Sequence, residues 1–135
     1  MANVLYSKAK EALLTGAISW TSDNIKAVLV DTGAYTPSVT TNQFLTDIPS
    51  AARIATSGSL TGKSATDGVA DAADITFPLA TGPSVEAIVL YKDTGSPSSS
   101  RLIAYIDAAQ GLPITPNGGD IVVQWSNSAN RIIAL

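Results

Sequence analysis

Val85-Glu86-Ala87-Ile88-Val89-Leu90-Tyr91-Lys92, then Asp93-Thr94-Gly95-Ser96-Pro97-Ser98-Ser99-Ser100, then Arg101-Leu102-Ile103-Ala104-Tyr105-Ile106-Asp107 is the stretch that decides the fold. Two runs rich in β-branched and aromatic residues flank a string of turn formers, which predicts an antiparallel hairpin with a long, flexible tip. In the first run Val85, Ala87, Val89 and Tyr91 share one face of a strand. Glu86, Ile88, Leu90 and Lys92 share the other.

Similar signals recur on both sides of the hairpin. Ile25-Lys26-Ala27-Val28-Leu29-Val30 is apolar at nearly every position, as suits an inner strand covered on both faces. Arg53 to Ser57 and Ala73 to Phe77 read as further strands, the latter ending at Pro78. Gly111-Leu112-Pro113 and Pro116-Asn117-Gly118-Gly119 mark turns around Ile121-Val122-Val123-Gln124-Trp125, and Arg131 to Leu135 reads as a closing strand. Residues 1–16 read as the one convincing helix, with Asn3 as N-cap. Leu5, Ala9, Ala12 and Leu13 recur at helical spacing, and Gly16 is placed to end the helix in a left-handed conformation. The expectation is a single mainly β domain over 1–135, an antiparallel β-sandwich or jelly-roll-like barrel with one N-terminal α-helix. In that reading the helix is 1–16, and the sandwich spans 17–135 with long loops at 31–50 and 93–100. Asn42 to Asp47 carries one helical turn in the first loop.

Composition narrows the chemistry. The 135 residues fit one domain, and no apolar run approaches the roughly 18–20 residues of a membrane-spanning helix. The absence of histidine and cysteine removes Ser-His-Asp and Cys-His nucleophilic catalysis, disulfides, and zinc held by those side chains. With net charge −3 and 8 scattered basic residues, the chain lacks the clustered Lys and Arg of a nucleic-acid footprint. The first ten residues lack the apolar run of a secretory signal, which predicts folding in a cytoplasm.

Three constellations bear on specific functions. Gly62-Lys63-Ser64 ends like a phosphate-binding loop, but that motif needs glycine at position 57, where Ser57 stands; a turn with a solvated lysine is the better reading. Asp67, Asp71 and Asp74 lie within one short stretch, yet their spacing does not match a calcium loop and suits strand-end aspartates accepting local backbone N–H groups. No two of the 11 acids stand out as a glycosidase pair. The expectation is therefore no catalytic residue, no metal and no cofactor. Tyr35 and Phe44, in a long polar loop, are the best candidates for a partner-facing pair.

Charged residues are only 14% of the chain, against about 25% in an ordinary domain. A surface of Ala, Ser, Thr and Gly is cheap to desolvate, and interfaces are depleted in Lys, Glu and Asp. The reading is a chain packed against copies of itself or a larger assembly.

Several segments taken in order carry a resemblance. They are Ala2 to Gly16, Ile25 to Thr32, Asn42-Gln43-Phe44-Leu45-Thr46-Asp47-Ile48, Ala73 to Phe77, Ile88 to Thr94, Leu102 to Asp107, and Gly118 to Trp125. Together the chain resembles small structural proteins of tailed bacteriophages. The resemblance covers most of the chain and rests on strand and turn patterns rather than a catalytic signature. It implies a non-enzymatic head decoration (cement) protein in the virion, made in the host cytoplasm and bound outside the lattice of the phage major capsid protein. Symmetry adds the expectation of a homo-oligomer, trimer or dimer, with no nucleic acid or membrane as partner. Leu5, Tyr6, Tyr35, Phe44, Leu45 and Ile48 are the candidate interface. The alternative is a tail or fibre-associated module that binds host surface carbohydrate.

Overall fold

The computed structural model describes residues 4–78, 80–107, 112–123, 125 and 132–134. Asn3, Gly111, Gln124, Arg131 and Leu135, singled out in the sequence, lie outside this set. The fold is mainly β and antiparallel. Its largest sheet holds five strands in the order β1 (Val4–Leu5), β7 (Arg101–Ile106), β6 (Ala87–Lys92), β2 (Ile25–Val30) and β3 (Arg53–Thr56). Two separate ribbons pair β4 (Val69–Ala70) with β9 (Ile133–Ala134), and β5 (Ile75–Phe77) with β8 (Ile121–Val123).

The hairpin is the centre of the sheet. Val89 stands opposite Tyr105, and Ile88 opposite Ile106, with a bulge between Leu90 and Tyr91. On the other side of β6, Val28 faces Val89 and Leu29 faces Ile88. Residues paired across strands share a face, so Leu29, Ile88 and Ile106 form one apolar row, and Val28, Val89 and Tyr105 form another on the reverse side. Both rows are buried, which means the sheet is covered above and below. The ribbons supply part of that cover: Ile75 and Phe77 of β5, with Ile121 and Val123 of β8, join the same core cluster, while Thr76 and Val122 face outward. The result is layered. The sheet does not close into a barrel, because it ends at β1 on one side and β3 on the other.

The N-terminal segment differs from the helix expected over 1–16. Val4 and Leu5 pair with Tyr105 and Ala104 as an edge strand, and α1 spans Ser7–Leu14, with Tyr6 in extended conformation at its N-cap. The backbone groups of β7 need partners, and a β-branched Val4 satisfies them at least as well as a helical turn satisfies its own. Leu5 thus reaches the core from a strand, while Ala9 and Ala12 seat the helix. The C-terminus of α1 is as expected: Gly16 takes φ +80°, and the Ala17 N–H reaches back to the Ala12 carbonyl at 2.8 Å, closing a Schellman turn.

At the tip end of the hairpin, Lys26 pairs with Asp93 at 3.0 Å and Lys92 with Asp23 at 3.3 Å. The tip itself is knit internally. The Gly95 N–H donates to Asp93 Oδ1 at 3.1 Å, the Ser100 hydroxyl donates to the Ser96 carbonyl at 2.8 Å, and the Thr94 and Ser99 hydroxyls lie 2.6 Å apart.

Candidate functional site

The six candidate interface residues do come together, but against the chain's own sheet. The outer edge of β7 is tiled by two pieces of chain. Val4 and Leu5 pair with Tyr105 and Ala104, and the Tyr6 N–H donates to the Ile103 carbonyl at 3.0 Å. Beyond them the Leu102 N–H donates to the Gln43 carbonyl at 2.9 Å, and Phe44 bridges to Arg101. The loop over 31–50 is therefore a belt across the sheet edge. A bond from the Ser7 N–H to the Val39 carbonyl at 2.7 Å ties it to α1. Two more tie it to the hairpin tip, from the Leu45 N–H to the Ser100 carbonyl at 2.8 Å and from the Thr46 N–H to the Pro97 carbonyl at 3.3 Å.

This placement corrects the interface reading. Leu5, Tyr6, Tyr35, Leu45 and Ile48 are buried, Tyr6 and Ile48 completely, and a buried side chain faces no partner unless the belt lifts. Only Phe44 is half-exposed, with the Arg101 guanidinium 5.4 Å from its ring centroid, a cation–π contact. Tyr35 is not a loop-tip aromatic. Its hydroxyl donates to Asn42 Oδ1 at 2.7 Å, and that same oxygen accepts the Ser38 N–H at 3.0 Å, which fixes the amide orientation. The Tyr35 proton being committed, the Tyr6 hydroxyl must be the donor in the 2.9 Å Tyr6–Tyr35 bond. Burial pushes the Tyr6 phenol far above its ordinary pKa, and donation to Tyr35 pushes it further. Asp47, in the observed helical turn Leu45–Asp47 within the span Asn42 to Asp47 where one was expected, accepts the Gln43 and Phe44 N–H groups at 2.7 and 3.0 Å and holds the belt's shape.

Two concave sites on the surface are lined by described residues. The larger, of about 340 Å³, is lined by Thr32, Glu86, Tyr105, Asp107, Leu112 and Pro113. Glu86 Oε1 accepts both the Thr32 N–H at 3.0 Å and the Thr32 hydroxyl at 2.9 Å, latching the Asp31-Thr32-Gly33 turn to the start of β6. Hydrogen bonds, Ser84's first and Thr32's next, hold the Glu86 carboxyl below its ordinary range. Burial keeps the Tyr105 phenol protonated, with the Asp107 and Glu86 charges acting in the same direction. A glycosidase acid needs a raised carboxyl pKa, and Glu86 is shifted the opposite way.

The latch has a pH signature. A carboxyl whose folded pKa is lowered stabilises fully above its unfolded value of 4.5, and that contribution fades as pH falls through the folded value. Glu86→Gln is therefore expected to destabilise the chain at pH 7 and to match the parent at low pH. Urea unfolding at a series of pH values checks it, and a gap that persists undiminished to pH 2 would contradict the latch.

The smaller site, of about 160 Å³, is lined by Ser57, Gly58, Ser59, Thr61, Asp74, Ile75 and Thr76. Ser57 is buried. Its hydroxyl accepts the Ala27 N–H at 2.9 Å and donates to the Gly58 carbonyl at 2.7 Å, so it continues the β2 pairing where β3 ends. Asp74 Oδ1 accepts the Trp125 N–H at 3.0 Å, and the Trp125 indole donates to the Ala73 carbonyl at 3.1 Å. Asp67 takes a left-handed conformation, φ 55°, in an exposed turn, and Asp71 bridges to Ser64 through the backbone. Among the described residues, no group of three or more acidic side chains is arranged to hold a metal ion. Lys63 is not a solvated lysine, since its ammonium donates to the Asp23 carbonyl.

Asn42, Ser57 and the Thr32–Glu86 pair are the positioning residues that sequence reasoning missed. Asn42 sat at the start of a predicted turn, which is the one signal that pointed to it. No family model matches the chain, and no curated protein does. Among the described residues no helix is long and apolar enough to cross a membrane.

Proposed function

We propose that this chain is a non-enzymatic structural protein of a bacteriophage virion, a decoration protein that binds the outside of the major capsid lattice and stabilises the DNA-filled head. The observation that carries the reading is the joined surface of the belt and the hairpin tip. Once the bulky side chains of the belt turn inward, the two loops present Thr40, Thr41, Thr46, Pro49 and Ser50 beside Thr94, Gly95, Ser96, Pro97, Ser98 and Ser99. Asp47 is the one exposed charge among the loop residues 31–50 and 93–100. A neutral face with a knit backbone loses few hydration shells and little conformational entropy on contact, which is what a lattice-bound clamp needs. Binding to the expanded head and not to its unfolded or dissociated subunits stabilises it by about 2.7 kcal/mol per site when free protein is at a hundred times the dissociation constant.

Mixing the purified protein with mature heads and imaging them tests the proposal. Copies spread over the head surface are expected, with the belt-and-tip face against the shell. Ser98→Glu puts a charge on that face and is expected to weaken head binding at least tenfold, about 1.4 kcal/mol, while leaving unfolding free energy within about 0.5 kcal/mol of the parent. Density confined to the tail would favour the fibre-associated alternative, and no binding to any particle component would overturn both.

A further inference from the structure

Asn117-Gly118 is the single Asn-Gly pair in the chain, and Asn117 is exposed. Such pairs deamidate readily because glycine offers no side chain to hinder the reaction. The Gly118 backbone nitrogen, after losing its proton to water or hydroxide, attacks Asn117 Cγ. The Cγ–Nδ2 bond breaks, ammonia leaves, and a five-membered succinimide remains. Water then opens either imide carbonyl, giving aspartate or the β-linked isoaspartate.

In the folded chain the attacking nitrogen is already committed and the Asn117 side chain is held in place. The Gly118 N–H donates to the Ala80 carbonyl at 2.8 Å, so its proton is held and its nitrogen points toward Ala80. The Asn117 carboxamide oxygen accepts the Gly119 N–H at 2.9 Å, an Asx turn that keeps Cγ directed at Gly119. The Ala80 N–H returns to the Gly119 carbonyl at 3.1 Å, and Gly118 takes φ +89°, open to glycine and strained for other residues. The Gly118–Ala80 bond must release, and the Asn117 side chain must turn out of its Asx geometry, before the nitrogen can reach Cγ.

We infer that Asn117 is a latent deamidation site, silenced by the Ala80 pairing and unmasked only when this turn opens. Its reaction rate is the rate in the unfolded chain multiplied by the fraction of time the turn is open. The two products differ in consequence. Aspartate at 117 keeps the acceptor for the Gly119 N–H and adds one negative charge. Isoaspartate lengthens the backbone by one carbon and breaks the register with Ala80.

Incubation of the whole protein at mildly alkaline pH, with and without urea, followed by peptide mass analysis across Asn117 measures both rates. Deamidation at least tenfold slower in the folded chain than in the unfolded one is expected. Gly118→Ala strains the turn at φ +89°, so although its intrinsic rate is lower, its own unfolded-to-folded rate ratio is expected to shrink. Equal rates in the folded and unfolded parent chain, no reaction in either, or an unchanged ratio in Gly118→Ala would each overturn the inference.

Discussion

Phe77→Ala is expected to lower the free energy of unfolding by about 3–5 kcal/mol, the range for emptying a well-packed aromatic site. Phe77 is fully buried and pairs with Ile121 across the β5–β8 ribbon. Ile75, Phe77, Ile121 and Val123 belong to the same cluster as the central sheet, so the ribbon is part of the core and not an appendage. The neighbouring pair points the other way: Val122 is 58% exposed and stands opposite the exposed Thr76. Val122→Ala is accordingly expected to stay within about 0.5 kcal/mol of the parent. Urea midpoints at constant slope separate the two. Similar costs for both variants would mean that the ribbon docks weakly and contributes little to the common core.

Much of this fold was legible because local signals and tertiary placement agree. The runs Ala87–Lys92 and Arg101–Ile106 are apolar on both faces, and both are inner strands. Ile75-Thr76-Phe77 and Ile121-Val122-Val123 alternate buried and exposed residues, as a half-covered ribbon should. The N-terminus was less legible because Val4 and Leu5 fit a helical stripe and an edge strand equally; what decides between them is the open edge of β7, far along the chain. The belt was the largest miss. Phe44, Leu45 and Ile48 have the spacing of a single helical turn and Tyr35 stands apart from them, so the sequence offers no repeating face that says what they pack against. They look like anchors awaiting a partner, and the belt's partner is Ser100 to Leu102 of the same molecule. A long polar loop with a few bulky residues thus reads alike whether it grips a neighbour or its own sheet.

The donor order inferred for the tyrosine chain gives the second large effect, because it makes two similar deletions unequal. Tyr6→Phe removes a donor from Tyr35, which still donates to Asn42, so the cost is that of one hydrogen bond, about 1 kcal/mol. Tyr35→Phe strands the buried Tyr6 hydroxyl with no acceptor and takes the donor from Asn42, so about 1–3 kcal/mol is expected. The double variant should cost less than the two singles together, since with both hydroxyls gone no buried donor is left unpaired. Alkaline pH provides an independent readout. All four tyrosines have phenols raised above the ordinary 10.0, by burial first in each case. Above pH 10 the unfolded chain loses protons that the folded chain keeps, so stability falls as pH rises, and it falls less steeply once Tyr6 is Phe. If Tyr35→Phe proved no costlier than Tyr6→Phe, the proton would have to run the other way along the chain, and Asn42 would no longer be what orients the belt.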